Sequence, residues 1–131
     1  MTGARKVAVA AMLLGIIGGS VVAQQAGFTR FPLQDQLLSD PARHAVQVRA
    51  EFEPGVAAGR HTHPGEELGY VLEGTLLLEV DGQPPKTVKA GETFFVPAGL
   101  VHDGKNIGTG KAKVLATYVV EKGKPVASPA K

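Results

Sequence analysis

The chain has 131 residues, 44% hydrophobic and 20% charged, the composition of one globular domain; this excludes a disordered chain and a polytopic membrane protein. Cysteine is absent, so disulfides, a thiolate nucleophile and Cys-ligated metal clusters are excluded, and any metal must be held by nitrogen and oxygen. The formal charge of +2 would fit an acidic partner such as nucleic acid, but Arg5 and Lys6 account for the whole excess.

Residues 1–23 read as a signal peptide. Arg5 and Lys6 precede an uncharged run from Val7 to Ile17, and Val21-Val22-Ala23 supplies small residues before a cut. An uncleaved anchor helix is the alternative. The stretch from Val7 to Ala23 is at the short limit of the roughly 17–25 residues a span needs, and three glycines interrupt it. Cleavage after Ala23 implies an exported protein, periplasmic or secreted, without a stable membrane anchor. It leaves 108 residues with 12 basic against 12 acidic side chains, and the electrostatic case for nucleic acid disappears.

Residues 24–44 mix Phe28, Phe31, Leu33, Leu37 and Leu38 with Pro32 and Pro41, and read as an extended arm lying on a sheet edge. Such an arm favours a homodimer. Residues 45–120 then carry a β pattern throughout. Val46, Val48, Ala50 and Phe52 alternate with Gln47, Arg49, Glu51 and Glu53, a period of two that turns one face inward. Leu68–Glu73 and Thr75–Val80 are short apolar runs around Gly74, and Asp81-Gly82 is a favoured hairpin turn. Thr87–Lys89, Thr93–Val96 and Val114–Val120 complete the series. Seven or eight short strands with turn signals every roughly 8–12 residues predict an all-β fold, one small antiparallel sandwich or barrel. Phe52, Phe94 or Phe95, and Tyr118 are expected to line it. Residues 121–131 hold three lysines and two prolines with no large side chain after Val126, and read as a disordered tail.

The chemistry-bearing segment is Gly59-Arg60-His61-Thr62-His63-Pro64-Gly65-Glu66-Glu67. In an extended chain His61 and His63 present both imidazoles to one side, as a metal pincer. After the Pro-Gly turn, Glu67 can return a carboxylate toward the same point, whereas Glu66 faces away. His102, beyond the break at Pro97-Ala98-Gly99, is a fourth candidate. Neutral imidazole and carboxylate suit first-row divalent metals, and three histidines with one glutamate leave about two open positions in an octahedral shell. The competing reading of His-x-His near a turn is a pair of surface histidines. His44 stands alone and reads as a solvated surface residue.

Spacing separates these readings. Gly55, His61, His63, Glu67 and Gly74 have five, one, three and six residues between successive members; Gly91, Pro97, Gly99, His102 and Asn106 have five, one, two and three. All ten positions resemble the two conserved motifs of the cupin superfamily without a gap, with 16 residues between them. The resemblance spans Gly55–Asn106. It implies a small β-barrel of jelly-roll type in which His61, His63, Glu67 and His102 ligate one divalent transition metal (Fe, Mn, Ni, Cu or Zn). It further implies turn positions for Gly55, Gly74, Gly91 and Gly99, and a structural hydrogen-bonding role for Asn106.

The fold names no reaction. One expectation is a metal-dependent oxidoreductase of dioxygenase type, acting on a small molecule, in which Glu67 serves as catalytic proton acceptor as well as ligand. The other is a non-catalytic exported protein whose metal orients a small ligand.

Overall fold

The computed structural model describes residues 25–131; the expected signal peptide, residues 1–23, lies outside them. Ten strands follow in chain order: β1 (Phe28–Leu37), β2 (Arg43–Phe52), β3 (His61–Thr62), β4 (Gly65–Glu73), β5 (Thr75–Val80), β6 (Lys86–Lys89), β7 (Thr93–Val96), β8 (His102–Asn106), β9 (Ala112–Glu121) and β10 (Ser128–Pro129). Among the described residues there is no helix. One sheet has the order β1-β2-β9-β4-β7 and the other β10-β3-β8-β5-β6, with every paired strand antiparallel. The two sheets enclose the core as a jelly-roll-like barrel.

Period-two patterning decides which side chains are inside. On β2, Val46, Val48, Ala50 and Phe52 are buried, and on β9 so are Ala112, Val114, Ala116, Tyr118 and Val120. On β4 the inward residues are Gly65, Glu67, Gly69 and Val71, which leaves Leu68, Tyr70 and Leu72 outward. Phe94 points in and Phe95 out. Gly69 is part of this packing, since a Cβ there would lie about 2.1 Å from the Phe94 ring.

The four motif glycines all adopt positive φ: +76° at Gly55, +80° at Gly74, +87° at Gly91 and +74° at Gly99. Gly74 is doubly constrained, because a Cβ would also meet the Lys111 carbonyl oxygen at 2.8 Å. Asn106 is fully buried. Its Nδ2 donates to the carbonyls of Phe52 (3.1 Å) and Gly110 (2.8 Å), and its Oδ1 accepts from the Gly108 N–H (2.9 Å), tying three chain segments together.

The segment read as an extended arm does lie on a sheet edge, as β1 paired along its length with β2 of the same chain. Two other expectations change. Residues 121–131 were expected to be disordered for want of large side chains, but backbone pairing holds them. Ser128 and Pro129 face Thr62 and His61, the Ala130 N–H donates to the Arg60 carbonyl, and Ala127 is buried. His44 is not a solvated surface residue. Its side chain is mostly buried on the inward parity of β2, with Nδ1 2.7 Å from Asp35 Oδ1.

Candidate metal centre

Pro64-Gly65 carries the chain from one sheet to the other, and this step builds the site. His61 lies on β3 and His63 just after it, both against the second sheet; Glu67 lies two residues into the inward row of β4 in the first sheet. His102 begins β8 as the register partner of His61. All four side chains are buried, and one potential ligand atom from each lies within 4.8 Å of the others. The imidazole centroids are 4.3 Å apart for His61 and His102, 4.8 Å for His61 and His63, and 4.9 Å for His63 and His102. Glu66 points away and pairs with Arg43 at 3.2 Å, and His44 takes no part in the cluster.

Backbone carbonyls set the tautomer of all three histidines. His61 Nδ1 lies 2.6 Å from the Gly59 carbonyl, His63 Nδ1 2.6 Å from that of Val126, and His102 Nδ1 2.9 Å from that of Leu100. A carbonyl only accepts, so each Nδ1 carries the proton and each Nε2 faces the cluster. Two loops place these carbonyls. The Gly59 N–H donates to Asp103 Oδ1 at 2.9 Å, and the Gly99 N–H in the turn after Pro97 donates to the His63 carbonyl at 3.1 Å.

The electrostatics follow from burial and from Glu67. Burial, reinforced by the neighbouring His102, lowers the His61 pKa to about 4, which keeps that imidazole neutral. Burial alone would raise Glu67, but His102 and His63 outweigh it and hold the carboxyl at about 2. His102 is the mirror case: burial lowers it, yet the hydrogen bond from Nε2 to Glu67 Oε2 at 3.0 Å leaves its pKa raised overall. His63 Nε2 is also 2.9 Å from Glu67 Oε2 but lacks hydrogen-bond geometry, and it is a buried nitrogen without a partner.

The donor set therefore fits a divalent metal. Three Nε2 atoms and one ionised carboxylate converge, each Nδ1 is committed to a carbonyl so that Nε2 is left for ligation once His102 gives up the proton it shares with Glu67, and the His63 Nε2 without a hydrogen-bond partner is what a cation would satisfy. Two contributors were invisible to sequence reasoning. The Val126 carbonyl comes from the segment expected to be disordered, and a backbone acceptor has no sequence signature. The other is Arg30, which lines the same cavity as His61, Glu67 and His102; its two-residue spacing from Phe28, which puts both on one face of a strand, is the available signal.

Comparison with known proteins gives a consistent picture. A family model described as "Cupin domain" matches residues 48–118. The HTH-type transcriptional regulator PuuR of Escherichia coli (strain K12) is 31% identical over 80 residues, covering 60% of this chain and 43% of that protein. Germin-like protein subfamily 2 member 2 of Arabidopsis thaliana is 41% identical over 76 residues, covering 54% and 35%. The chain thus spans less than half the length of these relatives. A solved structure of oxalate oxidase in complex with the substrate analogue glycolate superimposes with a TM-score of 0.65 and 26% identity, covering 81% of this chain and 56% of that one.

Proposed function

The chain belongs to the cupin family, and on that premise we propose that it is an exported, metal-dependent oxidoreductase of dioxygenase type acting on a small molecule. The observation that carries this reading is the buried convergence of His61, His63, Glu67 and His102, with every Nδ1 already committed to a carbonyl. These four residues would hold one divalent metal (Fe, Mn, Ni, Cu or Zn), which when bound supplies a Lewis acid and a redox centre. The chain's own residues do the rest. Glu67, kept ionised, accepts a proton from the substrate. Phe28, Phe52, Phe94 and Leu78 wall the cavity with apolar surface and limit water around the reacting groups. The similarity to an oxalate oxidase supports an oxidoreductase; that enzyme's glycolate complex supports a small-molecule partner.

The same reading takes the mature chain as a homodimer without a nucleic-acid partner. A second function, a metal-dependent binding protein that turns nothing over, is favoured by the match to a transcriptional regulator, whose name describes no enzyme. Protein recovered from the exporting compartment tests both. Its intact mass should begin at Gln24, its metal and redox state can be read directly, and oxygen uptake can be followed on enols, flavonols and thiols. Uptake that needs the metal and is lost in Glu67→Gln supports the enzyme. Saturable ligand binding without uptake on any of them selects the binding protein.

A further inference from the structure

Phe28 faces Phe52 and Arg30 faces Ala50 across the β1–β2 ladder, so Phe28 and Arg30 share the inner face of the first sheet. The Arg30 guanidinium lies over the Phe28 ring, with Cζ 4.7 Å from the ring centroid. Stacking on a buried ring holds the planar group in one orientation. Arg30 thereby lines the cavity that also contains Tyr118 and the His61, Glu67 and His102 side chains.

Its pairing sets it apart. Arg43, Arg49 and Arg60 each hold a carboxylate, those of Glu66, Glu51 and Asp81, at 3.2, 3.0 and 2.9 Å. Among the described residues, Arg30 forms no such ion pair: the Tyr118 side chain, a neutral group, is within its hydrogen-bonding reach, and its Nε is buried without a hydrogen-bond partner. Among the described residues the one carboxylate lining the cavity is Glu67, which is hydrogen-bonded to His102. A buried, unpaired N–H of a cation is costly to keep, and a ligand oxygen is what would satisfy it. A guanidinium offers two parallel donors that match a carboxylate, a geometry that lysine lacks. The cavity volume of about 30 Å³ suits a small carboxylate group.

We propose that Arg30 is the anion-binding residue of this cavity, gripping the carboxylate of a small organic acid while the rest of the molecule reaches toward the His61, Glu67 and His102 cluster. The assignment rests on the reading of this cavity as the substrate site and names the substrate class for it.

The test uses the mature protein loaded with zinc, which is redox-silent, and compares acetate with acetamide, a neutral molecule of the same size, by NMR titration. Wild type is expected to prefer acetate by about tenfold, as befits a charge-assisted fork. Arg30→Gln should lose most of that preference with zinc content unchanged, and Arg30→Lys should keep only part of it. If Arg30→Gln fails to fold, judged by thermal melting, Arg30→Lys carries the test. Wild type without a preference for acetate, or a folded variant that binds acetate as tightly as wild type, overturns the proposal. An acetate preference in a protein that consumes no oxygen on any reductant defeats the oxidoreductase reading alone. Oxygen uptake without the preference defeats the Arg30 assignment alone.

Discussion

His61 and His102 sit with ring centroids 4.3 Å apart and opposite proton affinities, and this pair sets the response of the metal-free protein to acid. His61 has a folded pKa lowered to about 4, so its neutral form stabilises the fold above the unfolded value of 6.5, and that stability is lost as pH falls through the interval between them. His102 has a raised pKa, so its contribution is fully present below 6.5 and is lost as pH rises above it. Glu67 matters only below 4.5, where its stability is lost as pH falls toward about 2. Lowering the pH from 6.5 to 4.5 should therefore destabilise the metal-free protein by about 2 kcal/mol, through His61. Urea melts at the two pH values check this, and His61→Gln should flatten the difference. An equal or larger pH dependence in that variant would contradict the assignment.

At the scale of the strand, the last seven residues matter more than their composition implies. β10 pairs with β3 and brings the Val126 carbonyl to His63 Nδ1. Outer contacts of this kind typically change metal affinity by about 10–100-fold, so truncation after Lys124 should weaken metal retention against a competing chelator by about tenfold. A truncated protein that holds metal like the full chain would show that the contact is incidental. The turn between β4 and β5 gives a second prediction. Gly74→Ala must place a side chain at φ +80° against the Lys111 carbonyl, and should cost roughly 1–3 kcal/mol by thermal or denaturant melting.

These elements also show what was legible beforehand. The meeting of His61, His63, Glu67 and His102 was readable because motif spacing runs along the chain. The strands with clean alternation, such as β2 and β9, were readable for the same reason. The side taken by Tyr70 and Leu72 was not, because Leu68, Tyr70, Val71 and Leu72 offer apolar side chains to both faces and Gly65 and Gly69 supply none to mark the inner row. The short strands β3, β8 and β10 were missed, since two to five residues of polar or mixed character give no periodicity and are held by backbone pairing.

For the whole molecule, the outer face of the first sheet bears on assembly. Leu68 and Phe95 are cross-strand neighbours and 50% and 53% exposed, and Tyr70 and Leu72 continue the row at 42% and 46%. Monomers rarely expose contiguous apolar patches beyond a few hundred Å². A second copy of the chain covering this face accounts for it within the proposed homodimer. Leu68→Glu combined with Phe95→Glu should convert the mature dimer to monomer in light scattering, without loss of bound metal. A wild-type protein already monomeric at tens of micromolar would contradict the dimer.

The central claim is that four side chains from both sheets hold one divalent metal. Elemental analysis of purified wild type against His61→Ala, His63→Ala, His102→Ala and His44→Ala tests it most directly. About one metal per chain is expected in wild type and in His44→Ala, whose imidazole pairs with Asp35 away from the cluster, with strong loss in the other three. Full occupancy in any of those three, or loss in His44→Ala equal to theirs, would contradict the account.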